Sequence, residues 1–327
     1  MKIKGEVINL VAPQDIKFKV LSIDIAAIKP NEVVAKTLFS AISPGTETAA
    51  YLGMEALRPG KIFPRLLGYC NAAEVVIVGR NVIDVKPGDL ILTGESHRSI
   101  FVIEKENILA KIPKNVNPEN ATITYLYNLG LTCLQTIKLN SDTQIAVIGM
   151  GVLGLGAIEL ANNLKVETFA FSNSSYKLKL AKKLGANKVY LKAKNEKCNN
   201  IADMVIVTSN SWEDWHLALQ LVKRNGVISV LGFPGRGLEP PNFNPLDPKY
   251  FYTKKVAIIP VGRSLIQIKN NTTKNNCRKI LSLISKKKLN PQNLISGIYS
   301  YKEIERLYEV LLLRDQKSIT YVLQWAK

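Results

Sequence analysis

The chain has 327 residues, a length that fits about two domains. Hydrophobic residues make up 46% of it and charged residues 21%, a globular composition that excludes a disordered or fibrous chain. No apolar run reaches the ~18–20 residues that a membrane span needs, and no apolar signal core follows Met1. The formal net charge is +18. Solvated, lysine-rich helices explain such a charge; an anionic ligand or a nucleic acid is the alternative explanation.

The four cysteines are widely scattered, and none forms a CxxC pair. This spacing predicts neither a disulfide framework nor a cysteine-rich zinc knuckle. It fits a reducing compartment, so we expect a cytoplasmic protein that does not associate with a membrane.

The first third of the chain has the pattern of short strands broken by turns. Residues Glu32–Leu38 and Ala73–Val78 are rich in β-branched side chains, and Gly, Pro and Asn separate such runs. This predicts an all-β module. A helical stretch is expected next, from Pro118 to about Leu139, because proline suits a first helical turn.

Strands and helices alternate after Asp142. This order predicts an α/β fold with a doubly wound parallel sheet. Two amphipathic helices are expected in the tail, near Lys274–Lys288 and Lys302–Leu313. A last strand, Ser318–Gln324, lies far from that sheet in the sequence, so we predict that it returns to the first module.

A glycine pattern carries the strongest chemical signal. Gly149, Gly151 and Gly154 follow a buried strand, Gln144–Ile148, and open a helix. In this pattern the first glycine allows a tight turn and the second lets a pyrophosphate approach the backbone. The third lets the helix pack closely on the strand. The N–H groups at the start of the helix then face the phosphates of a dinucleotide.

The end of the next strand contains no acidic residue. NAD sites usually carry Asp or Glu there to hold the ribose hydroxyls, but this chain has Ser172, Asn173 and, in the following turn, Lys177. Hydroxyl, amide and ammonium groups can donate hydrogen bonds to a 2′-phosphate, whereas a carboxylate would repel it. We therefore predict NADP(H) as the cofactor. The alternative is that Ser172 and Asn173 only cap the next helix.

These features and several motifs together resemble the medium-chain dehydrogenase/reductase superfamily, over nearly the whole chain. The motifs are LGYC at Leu67–Cys70, VKPGD at Val85–Asp89, GLT at Gly130–Thr132 and the glycine pattern. The segment Ile42–Glu47, ISPGTE, is similar to the branch that includes bacteriochlorophyllide dehydrogenase-like proteins. The resemblance implies a GroES-like β-barrel catalytic domain (residues 1–118) and a Rossmann domain (119–265). It also implies a C-terminal segment, 266–327, that returns to the catalytic domain.

The chain departs from the zinc-dependent members of this superfamily at the metal ligands. The positions where those members carry Cys, His-Glu and Cys or Asp correspond to Ser43, Tyr69-Cys70 and Asn128. These residues do not form the Cys, His and carboxylate set that zinc prefers. We therefore expect a zinc-independent enzyme.

Without a metal ion, hydrogen bonds must polarise the substrate and a side chain or water must supply a proton. The residues at the altered positions, Ser43, Tyr69 and Asn128, are the catalytic candidates. Tyr69 is the first choice of proton donor; the alternative is that its ring only fills the volume of the missing metal site. Thr46, Glu47, Tyr51 and His97 are second-tier candidates. For His97 we favour a structural role, and for Glu47 a structural role or a polar contact on the cofactor side.

The predicted substrate contacts are Thr46, Tyr51 and Tyr125. The predicted cofactor contacts lie in the glycine turn, at the acid-free strand end and, by resemblance, near the nicotinamide: Gly149, Gly151, Val152, Leu153, Gly154, Ser172, Asn173, Lys177, Thr132, Thr208, Leu231, Gly232 and Phe233.

The leading function is hydride transfer between NADP(H) and a carbonyl or enone of a small or medium-sized organic substrate. The abundance of lysine also fits an acidic substrate. The segment Tyr250–Val261 resembles the last Rossmann strand of the superfamily, whose edge pairs across a two-fold axis in many members, so a homodimer is expected. Two alternatives remain open. One is a quinone-reductase-like protein that binds nucleic acid, which the absence of clustered aromatic residues on the basic tail disfavours; the other is a non-catalytic NADP-binding scaffold.

Overall fold

The computed structural model describes residues 2–54, 62–194, 198–261 and 272–325. The chain forms two compact units. The first comprises Met1–Tyr125 and Thr273–Lys327, and the second comprises Leu126–Thr272.

The first unit begins with strands and short helices. In chain order they are β1 (Lys2–Ala12), β2 (Asp15–Asp24), β3 (Glu32–Ala41), α1 (Pro44–Tyr51), β4 (Arg65–Leu66), β5 (Asn71–Val78), β6 (Leu90–Thr93), β7 (Ile100–Glu104), β8 (Ile108–Lys111) and α2 (Pro118–Ala121). The next helix, α3 (Thr124–Leu134), crosses the boundary between the units.

The second unit then alternates strands and helices. They are β9 (Gln144–Ile148), α4 (Val152–Asn163), β10 (Glu167–Ser172), α5 (Ser175–Lys183), β11 (Lys188–Leu191), β12 (Ala202–Val207), α6 (Trp212–Leu221), β13 (Val222–Val230), α7 (Phe251–Lys254) and β14 (Ala257–Pro260). The tail adds α8 (Thr272–Ser285), β15 (Ile295–Ser300), α9 (Ile304–Leu312) and β16 (Thr320–Gln324).

The sheet of the second unit has the order β11-β10-β9-β12-β13-β14, and every described pairing in it is parallel. Its inner strands are buried runs of apolar residues, which is the pattern of a parallel sheet covered by helices. Consecutive strands β9 and β10 lie side by side, and β12 then pairs with the other edge of β9. The strand order therefore reverses next to β9, where parallel α/β sheets bind ligands at the carboxyl ends of their strands. The predicted mixed α/β fold with a doubly wound parallel sheet is confirmed.

The described strands of the first unit form two sheets, β2-β1-β4 and β15-β16-β3-β5-β6-β8, with β7 paired to β3. Strand β16 lies antiparallel to β3, with Val322 opposite Ala41. The predicted return of the last strand to the first module is thus confirmed. Strand β15 pairs in parallel with β16. The sequence did not predict this strand, because its six residues are few and include Gly297, and glycine is depleted in strands.

The helical stretch predicted from Pro118 to about Leu139 is shorter and divided. Helix α2 ends at Ala121 and α3 ends at Leu134. Polar side chains satisfy the backbone beyond that point: Thr136 Oγ1 donates to the Cys133 carbonyl at 2.7 Å, and Asn140 Oδ1 accepts the Asp142 N–H at 3.0 Å. Such bonds favour turns over further helix.

The sequence pattern did not predict the antiparallel β1–β2 hairpin. Most side chains of β2 are exposed or half-buried, so the sequence lacks the clear alternation that marks a half-buried strand.

Within the described part of the chain, we find no helix that is both long enough and apolar enough to cross a membrane.

Candidate functional site

The glycine turn lies at the carboxyl end of β9. Gly149 has φ +93°, and its N–H donates to the Phe171 carbonyl at 3.0 Å. The Thr208 hydroxyl donates to the carbonyls of Ile148 at 3.0 Å and Gly149 at 2.9 Å. A Cβ on Gly149 would lie 2.5 Å from that hydroxyl oxygen. Both the left-handed backbone and the close contact with β12's end therefore require glycine here.

Gly151 and Gly154 have different surroundings. Gly151 precedes α4 as its N-cap, and a Cβ placed on it would meet no atom within 4 Å. A Cβ on Gly154 would lie 1.9 Å from the Gly149 carbonyl oxygen. No side chain caps α4, and the first N–H groups of a helix have no partner within the helix. An open backbone below a helix N-terminus fits a nucleotide pyrophosphate.

The end of β10 is polar and held by short-range hydrogen bonds. Ser172 Oγ accepts the Ser174 N–H at 3.1 Å, and Ser174 Oγ accepts the Lys177 N–H at 3.2 Å. Ser174, not Ser172 or Asn173, is thus the N-cap of α5. Asn173 is exposed and Lys177 is half-buried. The residues at the acid-free strand end lie together on the carboxyl side of the sheet.

A second group of predicted cofactor residues follows β12 and β13. The Leu231 and Gly232 N–H groups both donate to the Val207 carbonyl, at 2.8 and 2.9 Å. A Cβ on Gly232 would lie 2.0 Å from the Ser209 carbonyl oxygen. Phe233 is 45% exposed. Close packing of these two strand ends leaves an exposed aromatic ring at the edge where the glycine turn also lies.

Thr132 and Asn128 lie on α3. The Thr132 hydroxyl donates to the Asn128 carbonyl at 2.8 Å, and the Asn128 side chain is 3% exposed. The Asn128 Oδ1 is buried with no hydrogen-bond partner among the residues that the structure describes. An amide oxygen of this kind can accept a hydrogen bond from a bound molecule.

Two of the catalytic candidates contact each other in the first unit. The Tyr69 hydroxyl donates a hydrogen bond to Ser43 Oγ. It also forms a hydrogen bond with the Thr46 hydroxyl. The Tyr125 ring packs edge-on against the Tyr69 ring, with centroids 5.4 Å apart. Burial is the main factor that raises the pKa of Tyr69, and the two hydroxyl contacts partly oppose it. The phenol is therefore protonated near neutral pH.

A buried carboxylate lies beside this pair. Glu47 is 2% exposed. Its Oε1 accepts the Ser43 N–H at 2.6 Å, and its Oε2 lies 2.8 Å from His97 Nε2. The Tyr308 hydroxyl also donates to Oε2, at 2.6 Å. Glu47 and His97 thus form one hydrogen-bonded group with the backbone amide of Ser43.

The sequence did not indicate this group. Tyr308 lies 261 residues from Glu47, and Ser40, which contacts His97, lies 57 residues from it. No periodic pattern joins residues at such separations. The local signals were the ISPGTE motif, which ends at Glu47, and the acid in the first turn of α1. An acid there also favours a helix N-terminus without any further partner.

Tyr51, a predicted substrate contact, lies at the C-terminal end of α1. Its side chain is 3% exposed and packs in a hydrophobic core with Ile8 and Leu10. Its ring lies 5.2 Å from that of Tyr308. The structure thus places Tyr51 in the core at the end of α1, and its assignment as a substrate contact, which followed proximity to the Ser43 loop, stays a prediction.

The donor atoms at the implied metal positions do not fit zinc. Ser43 offers a hydroxyl, Asn128 offers an amide, and Cys70 is fully buried, so these positions lack the Cys, His and carboxylate set that zinc prefers. The neighbouring Tyr69 hydroxyl is engaged by Ser43. No group of three or more His, Cys, Asp or Glu side chains could hold a metal ion in residues 2–54, 62–194, 198–261 and 272–325.

The chain is similar to known dehydrogenases. The sequence profile of the zinc-binding dehydrogenase family matches residues 152–285, a region that contains none of Ser43, Tyr69, Cys70 and Asn128. The L-threonine 3-dehydrogenase of Caldanaerobacter subterraneus subsp. tengcongensis is 27% identical over 250 residues, which are 64% of this chain and 71% of that protein. The alcohol dehydrogenase of Geobacillus stearothermophilus is 30% identical over 190 residues, 55% of this chain and 56% of that protein.

Solved structures share the fold over the full length. The L-idonate 5-dehydrogenase of Escherichia coli K-12 superposes with a TM-score of 0.83 at 13% sequence identity, covering 99% of both chains. The sequence similarity to dehydrogenases, the shared fold and the glycine turn on β9 agree with one another. The chain therefore resembles the medium-chain dehydrogenase/reductase superfamily in sequence and in fold, and these similarities support an oxidoreductase of the dehydrogenase type.

Proposed function

We propose that this protein is a zinc-independent, NADP(H)-dependent oxidoreductase that exchanges hydride with a carbonyl or enone of a small or medium-sized organic substrate. The observation that carries the proposal is the Tyr69–Ser43 hydroxyl pair. It stands where the family resemblance places metal ligands, in a chain whose second unit has an open glycine turn. Hydroxyl donors there can do the polarising that a metal ion does in zinc-dependent relatives.

The second unit would hold the nucleotide. The pyrophosphate would lie at Gly151 and the N-terminus of α4, and Ser172, Asn173 and Lys177 would bind the 2′-phosphate through charge-assisted hydrogen bonds. Thr132, Thr208 and Leu231–Phe233 would line the rest of the cofactor site. Bound NADP(H) supplies the hydride chemistry.

Tyr69 would act as the proton donor. Its phenol holds a proton near neutral pH because burial raises its pKa. It can donate that proton to the oxygen of the reduced substrate, which is a stronger base. The Ser43 and Thr46 hydroxyls would then turn to donate to the phenolate. Thr46 and Tyr125 would contact the substrate beside Tyr69. Asn128 stays a catalytic candidate because its buried Oδ1, which has no hydrogen-bond partner among the described residues, can accept a hydrogen bond.

Nucleotide choice is tested by fluorescence titration of the purified protein with NADPH and NADH. We expect tighter binding of NADPH. Lys177→Ala should weaken NADPH about 10- to 100-fold, the loss of one hydrogen bond between charged groups, and should weaken NADH little. Lys179→Ala is the matched control because Lys179 is exposed on the same helix. Equal weakening of both nucleotides by Lys177→Ala would contradict the 2′-phosphate assignment.

The chemistry is tested by NADPH oxidation with a panel of carbonyls and enones, including acidic ones. Tyr69→Phe should lower kcat by roughly 100-fold or more, the usual contribution of a general acid, and leave NADPH affinity unchanged. Unchanged kcat would remove Tyr69 as donor, and one zinc per chain in metal analysis would overturn the zinc-independent mechanism. Nucleotide binding without turnover of any substrate would favour a non-catalytic NADP-binding scaffold instead.

Two copies are proposed to pair along β14. This strand is at the end of the described sheet order, and Ala257 and Pro260 on it are exposed. An uncovered strand edge offers unpaired backbone groups, which a second copy can satisfy across a two-fold axis. A reducing, cytoplasmic location is also proposed, since Cys70, Cys133, Cys198 and Cys277 are all free thiols.

A further inference from the structure

The Glu47 carboxylate has more hydrogen-bond donors than a helix-terminal acid needs. It is 2% exposed and accepts three hydrogen bonds. They come from the Ser43 amide at 2.6 Å, the Tyr308 hydroxyl at 2.6 Å and His97 Nε2 at 2.8 Å. Burying a carboxylate without such donors costs free energy. The carboxylate and its three donors therefore fix one another's positions.

The donor state of His97 follows from its other contact. Trp325 Nε1 donates to Ser40 Oγ at 2.8 Å, and Ser40 Oγ lies 2.8 Å from His97 Nδ1. An indole N–H can only donate and a carboxylate can only accept, so Ser40 Oγ accepts from Trp325 and Glu47 Oε2 accepts from His97 Nε2. The Nδ1 of a neutral imidazole then accepts the Ser40 hydroxyl proton. The His97 proton is then on Nε2, where it faces Glu47 Oε2. The hydrogen bonds are therefore donated in one direction, from Trp325 after β16 through Ser40 and His97 to the Glu47 carboxylate.

Both members of the hydroxyl pair contact this network through their backbone, Ser43 directly and Tyr69 through the preceding residue. Ser43 is fixed through its backbone amide, which Glu47 accepts. Tyr69 is fixed through its neighbour: Gly68 has φ +86°, and a Cβ on it would lie 2.7 Å from the His97 ring. The backbone that carries Tyr69 therefore lies directly on the imidazole face.

We propose that Glu47 is the positioning residue for the Ser43–Tyr69 pair, and that the Trp325–Ser40–His97 chain of donors and the Tyr308 hydroxyl hold its carboxylate. The C-terminal segment is thereby part of the site, since Tyr308 on α9 and Trp325 after β16 both supply donors. This inference rests on the proposed function for its catalytic meaning, but the geometry it predicts can be measured without a substrate.

The first measurement uses the two histidines of the chain. With ¹⁵N-labelled histidine and His216→Gln to assign the signals, His97 should show the neutral Nε2–H tautomer at pH 7, with a downfield, slowly exchanging proton. Glu47→Gln should move that proton signal upfield, because the charge-assisted bond is lost. An Nδ1–H tautomer, or a doubly protonated ring, would overturn the proposed direction of donation.

The second measurement reports on Tyr69. Tyrosine labelled with ¹³C at Cζ, with Tyr69→Phe for assignment, gives a signal sensitive to the hydroxyl's hydrogen bond. Glu47→Gln should shift or broaden the Tyr69 signal. Glu305→Gln is the matched control, because it removes an exposed carboxylate of α9 that contacts only Tyr51 among the hydrogen bonds described. An unchanged Tyr69 signal in Glu47→Gln would overturn the positioning role.

Tyr308→Phe removes one donor without removing the charge, so it tests the same network if Glu47→Gln fails to fold. It should shift the Tyr69 signal in the same direction but less. With a substrate from the screen, Glu47→Gln should lower kcat up to roughly 100-fold, as a misplaced catalytic group does, with an unchanged KM for NADPH. Unchanged kcat would overturn the inference. Failure of the wild-type protein to turn over any substrate would instead count against the proposed function, while the two NMR outcomes still decide the positioning.

Discussion

Individual glycines in the turn after β9 have separate tasks. Gly149 provides a left-handed backbone, Gly154 provides the space for a neighbouring carbonyl, and Gly151 leaves open space above the backbone. Two of the three are thus needed by the fold itself, and only Gly151 is free to serve a ligand. This difference can be measured, because stability and nucleotide affinity should respond to different substitutions.

Gly151→Ala should leave the free energy of unfolding nearly unchanged, since its φ of −82° suits alanine and a Cβ would meet no protein atom. It should weaken nucleotide binding by about tenfold or more, equal to about 1.4 kcal/mol, because the methyl group occupies the approach to the backbone. Gly154→Ala should instead destabilise the protein by about 1–3 kcal/mol or more through overpacking. Denaturant unfolding and nucleotide titration of both variants check this; unchanged affinity in Gly151→Ala would contradict a pyrophosphate at that position.

At the scale of elements, the proposed nucleotide-binding features all follow strand ends. The turn after β9, the Ser174 cap after β10 and the Val207 contacts after β12 lie on the carboxyl side of one parallel sheet. Parallel strands place the residues that follow them at the same edge of the sheet. Short motifs that are far apart in the sequence therefore lie close together in space.

Helix α5 depends on its cap at this edge. Ser174→Ala should lower stability by about 1 kcal/mol, because the Lys177 N–H loses its side-chain acceptor. Ser175→Ala is the matched control, since Ser175 is exposed and lies one residue inside the helix. Urea unfolding of the two variants compares them. If they are equally stable, the Ser174 hydroxyl is not the effective cap.

For the whole molecule, the two ends of the chain meet in the first unit. Strand β16 pairs with β3, and Trp325 and Tyr308 hydrogen-bond Ser40 and Glu47. The surroundings of the hydroxyl pair are therefore complete only when the C-terminal segment has folded back.

The proposed pairing of two copies also belongs to this scale. Sedimentation velocity should give a particle of about twice the 36.3 kDa chain mass if β14 edges join across a two-fold axis. Ala257→Asp would place a charge on the exposed face of that edge and should shift the distribution toward monomer. Glu167→Asp, on the inner strand β10, leaves the edge untouched and serves as control. A monomeric wild-type protein at working concentrations would contradict the dimer.

The sequence alone determined the parallel sheet, the glycine turn and the return of the last strand, because these depend on periods and spacings within a few residues or on a strand left without a neighbour. It also indicated Ser43 and Tyr69, through positions in motifs that a resemblance made meaningful. Only the tertiary structure decided that Glu47 and His97 join them, that Tyr51 is a core residue and that Tyr308 and Trp325 supply donors. Those contacts link residues 50 to 285 positions apart. Burial turns such distant polar side chains into obligatory partners, and no local pattern in a sequence states which partner a buried group will find.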